Sequence, residues 1–389
     1  MTDLLFLPKK NPIQRVNAKL LARLRSAQDD HLFKEFGTSA DLLDKVFADL
    51  KLAISAPAEL SDSPSAHLAD MDFRNLIELV STILQSSGLP NESITQQAAL
   101  VSQRLQLVAA FSDPNAVLTR VTKKVTDIVR TFPKTEKDIE CGRNPGDVLD
   151  PYILAASQIL LHGGDFEKAI ETTVGHKAIM IIEGLLGHLH EDIVGEMRGN
   201  VRVPEPRGTH QEMLDLETNP FPGADVVQPP FDTNSQLRFH QVKSKTGSAK
   251  GGDGKRLGEQ LKRLQDYYGG SIFYDALIGN TLRGHRSRSG VERAAPGVVV
   301  LVGDAAFREL TRRAVGPQLL LRLYQASFQQ VADESGYRVE TMASAIVMAF
   351  SARALAAGDS FVETVLDAST KGPVEFQDSR ANSKIVDTI

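Results

Sequence analysis

Cysteine is nearly absent from this chain: Cys141 stands alone among 389 residues. A disulfide framework within the chain is excluded, as is a cysteine-built zinc site, and the composition suits a reducing compartment. No apolar run approaches the roughly 18 residues that a membrane-spanning helix needs. The opening MTDLLFLPKKNP turns charged too soon for a secretory leader. These absences predict a cytoplasmic protein that does not enter a membrane. Internal repeats and low-complexity tracts are missing too. So is an excess of positive charge: 44 Lys and Arg face 49 Asp and Glu, a net charge of −5. That argues against a protein that coats nucleic acid indiscriminately, although it leaves room for a local basic surface.

Hydrophobic residues make up 42% of the chain and charged residues 24%, enough apolar mass for a full core. At about 100–200 residues per domain, there is room for two domains or for one large domain with an added module. Five early segments repeat apolar residues at three and four and predict helices: PIQRVNAKLLARLRSAQDD, ADLLDKVFADLKLAIS, FRNLIELVSTILQSS, SITQQAALVSQRLQLVAAF and NAVLTRVTKKVTDIVRTF. Ser39, Asn91 and Asn115 are candidate N-caps. The polar, broken TFPKTEKDIECGRNPGD is a candidate boundary. Helix resumes at VLDPYILAASQILLHGG and again between Phe166 and Arg198, with an interruption expected near Val174 and Gly175. After Gly199 the character changes. VRVPEPRG, ADVVQ, QLRFHQVKS, SIFYDALI and GVVVLVG read as strands between Pro- and Gly-rich turns, with GKRLGEQLKRLQDYY as a helix among them. Helix returns from Phe307 towards Leu355. This order predicts an α/β fold: a mixed β-sheet core flanked by helices, preceded by an N-terminal all-α region.

The sharpest local feature is Pro222-Gly223-Ala224-Asp225-Val226-Val227 followed by Phe239-His240-Gln241-Val242-Lys243. Pro229, Pro230, Asp232 and Asn234 supply turn chemistry between them. A hairpin centred on Thr233 sets Asp225 directly opposite Gln241, which brings their Cβ atoms to about 4.5–5.5 Å. Lys243 lies two residues on and shares that face. One patch of sheet then presents a carboxylate, a carboxamide oxygen and an ammonium. Phosphodiester hydrolysis needs those parts. Magnesium takes hard oxygen ligands and generates a nucleophile from a bound water, and a neighbouring lysine positions that water and stabilises developing negative charge. Taken alone, the pattern is short and loose and also suits an incidental hairpin.

The upstream helix HKAIMIIEGLLGHLHEDIVGEMRG adds context. Gly184, Gly187, Glu191 and Gly195 recur at three and four and form one stripe. Glycine costs about 1 kcal/mol in a helix interior, so the stripe predicts close approach to a neighbouring element, with Glu191 pressed against the sheet as a third acid for the metal or its waters. Glu183 is the alternative. A Gly-x-x-x-Glu helix, a strand with Gly-Ala-Asp-Val-Val, a strand with an acid or amide before x-Lys, and a following helix together resemble the catalytic core of PD-(D/E)XK nucleases. Within that superfamily the chain looks most like type II restriction endonucleases, and GNTLRGHRS and LVGDAAFRELT add to that likeness. The likeness covers residues 176–315 or so. It implies catalytic roles for Asp225, Gln241, Lys243 and Glu191. It implies metal-binding positions at Asp225, Gln241, Val242 and Glu191, and Mg2+ as cofactor. The chain is expected to divide into a helical region over 1–140, which carries no family signal, a catalytic domain over 141–370 and a polar tail over 371–389. The implied activity is sequence-specific cleavage of double-stranded DNA, leaving a 5′-phosphate and a 3′-hydroxyl, by a homodimer. A repair or recombination nuclease of the same fold, or a DNA-binding protein with a decayed nuclease site, are the alternatives.

Two departures bear on that reading. Ala224, not proline, precedes Asp225, and Gln241 stands where the superfamily usually has an acid, offering a carbonyl oxygen without charge. Basic residues crowd the same region: eight Lys or Arg between Arg238 and Arg263 against two acids, Asp253 and Glu259. Lys245, Lys250, Lys255 and Arg256 are candidate phosphate contacts. Arg283, His285, Arg286 and Arg288 lie in a polar, basic segment that suits base edges, since Arg pairs with guanine in the major groove. A solvated face is the competing reading for either cluster. KTGSAKGGDGKRLGEQ is not a nucleotide-binding P-loop, because Lys255 is followed by Arg256 and no glycine stands five before Gly254, so no nucleotide cofactor is expected. His188 and His190 are two apart on a helix and do not form a zinc pair. His240 should point away from the Gln241 face.

Overall fold

Asp72 shows how local chemistry starts the helices of the N-terminal region. Its carboxylate accepts from the backbone N–H of Arg74 and Asn75, both at 3.1 Å, satisfying two of the amides that a helix start leaves open. The apolar face that follows, Leu76, Val80, Ile83 and Leu84, is buried. Each such side chain contributes about 1.5–3 kcal/mol on leaving water. In the computed structural model, which describes residues 5, 7, 18–130, 134, 137, 149–203, 221–245, 253–279, 287–336, scattered positions between 344 and 358, and 360–370, this region holds seven α-helices. They are α1 (Ala18–Asp29), α2 (Leu32–Glu35), α3 (Ser39–Asp49), α4 (Ser65–Ala69), α5 (Phe73–Ser86), α6 (Asn91–Ala110) and α7 (Pro114–Val129). Helices α2 to α6 share one core around Phe47, Leu68 and Leu105. The expected caps are displaced by a residue or two. Thr38 caps α3 in a reciprocal box with Asp41, Pro90 precedes α6, and the Asp113 carboxylate accepts from Ala116 N–H near the start of α7.

Beyond α8 (Pro151–Ala156), α9 runs from Phe166 to Gly195 as one continuous helix, without the interruption expected at Val174 and Gly175. The five expected strands follow: β1 (Val201–Arg202), β2 (Val226–Gln228), β3 (Arg238–Lys245), β4 (Ser271–Ile278) and β5 (Val299–Val302). They form one sheet in chain order. The first two pairings are antiparallel and the last two parallel. A parallel pair requires a crossover, and α10 (Asp253–Tyr268) and α11 (Arg288–Ala294) stand in the two crossovers. Helix α11 opens in a polar, basic stretch whose sequence predicts a loop. After β5 come α12 (Asp304–Thr311) and α13 (Gly316–Ser335), and later α14 (Phe361–Thr370). The architecture is mixed α/β, a helical N-terminal region followed by a five-stranded mixed sheet with interleaved helices.

One face of the sheet carries a second core. Val227, Phe239, Ile272 and Tyr274 pack with Leu257, Leu261 and Leu264 of α10, and with Leu20, Leu24 and Ala27 of α1. The last three recur at four and three, so a single face of α1 covers the sheet. Buried Arg198 fastens the helices to the region before β1. It donates to the carbonyls of Val108 and Phe111 and pairs with Asp30 at 2.7 Å.

The chain divides into two compact units, Met1–Val121 with Leu186–Ala326, and Thr122–Leu185 with Ser327–Ile389. The first holds the sheet. The second has its own small core, Leu149, Leu154, Ala169, Ile170, Val174, Phe361 and Val365. No helix among the described residues is long and apolar enough to cross a membrane.

Candidate functional site

The β2–β3 hairpin is closed by its own turn residues. Asp232 Oδ1 accepts from the N–H of Asn234 at 2.9 Å and of Ser235 at 2.8 Å, an aspartate turn that replaces missing ladder bonds. The pairs Val226 with His240, Val227 with Phe239 and Gln228 with Arg238 are all centred on Thr233. One step further along, that register sets Asp225 opposite Gln241. The two side chains meet: Gln241 Nε2 donates to Asp225 Oδ2.

Asp225 stands where β2 begins, so β3 runs past it without a ladder partner. Its carboxylate takes up one orphaned amide, accepting from Val242 N–H at 2.8 Å. Its own N–H donates to the His240 carbonyl at 2.7 Å, and its carbonyl accepts from Val203 N–H at 2.9 Å. Backbone bonds on both sides therefore hold Asp225, which is buried. In an antiparallel ladder the N–H and C=O of one residue face the same neighbour. The Val242 carbonyl is thus turned towards the same edge as Asp225. Lys243, half-buried, shares a face of β3 with Gln241. Among the described residues its ammonium makes no hydrogen bond or ion pair.

Glu191 reaches this site through a residue that the sequence reading did not single out. Arg202 Nη2 lies 2.5 Å from Glu191 Oε2, and its Nε lies 3.1 Å from Asp192 Oδ1. Its Nη1 donates to the Asp225 carbonyl at 2.9 Å and stands 3.9 Å from Asp225 Oδ1. Burial works against the guanidinium charge. Glu191, Asp225 and Asp192 outweigh it and raise the Arg202 pKa above the usual arginine value. The close approach of α9 is confined to one end of the glycine stripe. A Cβ on Gly195 would fall 2.6 Å from Arg202 Cβ, whereas Gly184 and Gly187 have nothing within 4 Å. The stripe is therefore not a continuous packing face. Glu183 is exposed.

The site offers oxygens suited to a hard cation: the Asp225 carboxylate, the Val242 carbonyl and the Gln241 carboxamide. A half-turn of the amide exchanges Nε2 for Oε1 at Asp225. The fit depends on that amide and on the main chain, because no group of three His, Cys, Asp or Glu side chains among the described residues could hold a metal.

The two basic segments leave the carboxyl ends of the parallel neighbours β3 and β4, where Lys245 pairs with Ile278. Open α/β sheets commonly bind ligands beyond such ends. The segments also converge on one another, since a Cβ on Gly254 would fall 2.4 Å from the Ser287 carbonyl. Tyr274 and Ser287 share a hydroxyl hydrogen bond at 2.7 Å. Several of the named cations are partly engaged. Lys255 pairs with Glu259 at 3.6 Å on an exposed helix face, an interaction worth about 0–1 kcal/mol. Arg288 opens α11, where a loop was expected, and pairs with Glu292 at 2.7 Å. Arg256 is exposed. Lys250, Arg283, His285, Arg286 and the side chain of Lys245 lie outside the described residues.

On the opposite face of β3, His240 is fully buried, with Nδ1 2.9 Å from Asp275 Oδ2 and its ring stacked on Phe273 at 4.6 Å. Burial pushes Asp275 above the usual carboxylate range, the His240 hydrogen bond working against it. His240 thus points away from Gln241, as alternation requires. The partnership with Asp275 was not legible, because it joins strands 35 residues apart. His190 is also buried, its Nδ1 2.8 Å from the Tyr324 hydroxyl. No protein-family model and no curated protein matches the chain.

Proposed function

We propose that the chain is a magnesium-dependent nuclease of the PD-(D/E)XK type that cleaves double-stranded DNA, and more narrowly a type II restriction endonuclease. The observation that carries this reading is the contact of Asp225 with Gln241, with Lys243 two residues on along the same face, where an antiparallel hairpin gives way to parallel strands. Asp225, Gln241 Oε1 and the Val242 carbonyl would hold Mg2+, with Glu191 set behind Arg202. The ion would supply charge neutralisation and an acidified water.

The chain's own groups do the rest. Asp225 is held by its backbone bonds and its carboxylate by Val242 N–H, so the Gln241 amide is the group that has to turn. The Lys243 ammonium stabilises charge on the scissile phosphate as a water oxygen attacks phosphorus. The bond from phosphorus to the 3′ oxygen breaks, leaving a 5′-phosphate and a 3′-hydroxyl. Lys245, Lys250, Lys255 and Arg256 serve the phosphate backbone, and Arg283, His285, Arg286 and Arg288 the bases.

One observation favours a second reading, a DNA-binding protein whose nuclease site has decayed. The position of the usual acid holds Gln241, and a guanidinium lies among the acids. Incubation with plasmid DNA and Mg2+ separates the readings. Discrete fragments support a restriction enzyme, a smear supports a repair or recombination nuclease, and intact plasmid supports the binding protein. Asp225→Ala and Lys243→Ala each lose cleavage by at least about 100-fold, the scale of removing one transition-state stabiliser. Gln241→Glu keeps activity and Gln241→Leu loses it. Cutting at wild-type rate by the Asp225 or Lys243 variant sinks this assignment.

A further inference from the structure

Arg202 occupies an unusual place. Its guanidinium bonds to Glu191 and Asp192 on α9 and to the Asp225 carbonyl, and it stands 3.9 Å from the Asp225 carboxylate. It therefore lies between the two acids that a bridging metal would have to share. A magnesium ion demands oxygens at about 2.0–2.1 Å, so it cannot enter that space while the guanidinium is there. The held position is reinforced from behind. Gly195 brings α9 against the Arg202 backbone, and Nη1 also donates to the Val203 carbonyl at 3.1 Å.

Charge points the same way. Among the described residues, Glu191, Asp192 and Asp225 lie against Arg202, and Lys243 stands on the Gln241 face of β3, three carboxylates and two cations in all. One divalent ion already overturns that balance. A second would enter a site of positive sign, where like charges at about 4 Å repel by several kcal/mol at the effective dielectric near a protein surface.

Resting on the hydrolytic reading above, we infer that Arg202 is a positioning residue that stands in for a second divalent cation, so that each chain binds a single ion at Asp225, Gln241 and Val242. Glu191 then holds Arg202 and is not itself a metal ligand. The guanidinium keeps Asp225 and α9 in register as a bridging ion would, with a charge that never dissociates.

Manganese binding to the full chain, counted by electron paramagnetic resonance of free Mn2+ and by calorimetry, tests this without relying on activity. Wild type is expected to bind one Mn2+ per chain, and Asp225→Ala none. Arg202→Gln gains a second, weaker ion, raising the count from one to two, while Arg202→Lys, which keeps a cation in place, stays at one. Two ions on wild type overturn the inference and leave the nuclease reading standing, and they do so even if the Arg202 variants fail to fold. A folded Arg202→Gln that still binds one ion overturns it as well. No Mn2+ on wild type removes both the inference and the metal-dependent reading.

Discussion

At His190 and His31, burial sets the protonation state. Desolvation lowers the His190 pKa from 6.5 to about 4. Desolvation, with Arg312 and Lys34 nearby, lowers that of His31 to about 4 as well. Both are neutral in the folded state at neutral pH. Between about pH 4 and 6.5 the unfolded chain binds the extra protons. The stabilising contribution is therefore complete above pH 6.5 and is lost as pH falls towards 4, at up to about 1.4 kcal/mol per pH unit for each histidine. Asp275, raised by burial, acts in the opposite sense, since its protonated form favours the fold, so the comparison must be between variants. His190→Phe is expected to lose less stability than wild type between about pH 7 and pH 5, in urea melts at each pH. Parallel losses would show that His190 is not held neutral. Single residues also mark the limit of sequence reading. Alternation turns His240 away from Gln241, but nothing local says that Asp275 will meet it, or that Arg202 will reach Glu191.

Helices α10 and α11 cross at Gly254, Gly258 and Gly290. A Cβ on Gly258 would fall 2.8 Å from both the Val291 carbonyl and Ala294 Cβ, and one on Gly290 would come 3.1 Å from Lys255 N. This contact, more than any side-chain bond, brings the crossover after β3 against the crossover after β4. Overpacking such a site costs typically 1–3 kcal/mol, so Gly258→Val is expected to destabilise the protein by about that amount. Gly184 on α9 is the contrast, with open space around it. Gly184→Ala is expected to be neutral or to stabilise by up to about 1 kcal/mol, through helix propensity alone. Urea denaturation of both variants tests the difference, and equal effects would mean that the crossing is not close. All five strands and the long helices were legible, because period two and period 3.6 survive in runs such as FHQVK and LIELVSTIL. The seven-residue α11 was not, being too short to display a period and opening in a stretch rich in Arg, Ser and Gly. The α9 glycine stripe suggested more contact than exists, because periodicity records a face without recording what lies opposite.

The second unit exposes an unusual amount of apolar surface. Tyr152, Ile159, Leu160, Leu161, Ile179 and Met180 are each more than half exposed, the equivalent of about four fully exposed large side chains. Large exposed apolar side chains gathered in one unit are what an interaction surface presents. Under the proposed function, cutting both strands of a palindrome needs two sites related by a two-fold axis, so a second copy of this chain is the occupant we expect on that surface. Light scattering should give the dimer mass for wild type. Leu160→Lys should shift the mass to the monomer without loss of helical signal, and should turn double-strand cleavage into nicking. A monomeric wild type at micromolar concentration rules the dimer out.

The five strands, the long helices, the α/β order and the alignment of Asp225 with Gln241 and Lys243 are legible in the sequence. Those depend on short-range rules: period, turn chemistry and the symmetry of a hairpin about Thr233. Tertiary structure alone decided that α1 covers the sheet, that Arg202 rather than Glu191 borders Asp225, and that Gly195, not Gly184 or Gly187, sets the approach of α9. These are meetings between residues distant along the chain or on different elements. Packing selects them by shape and charge in three dimensions, and neither leaves a periodic trace in the sequence.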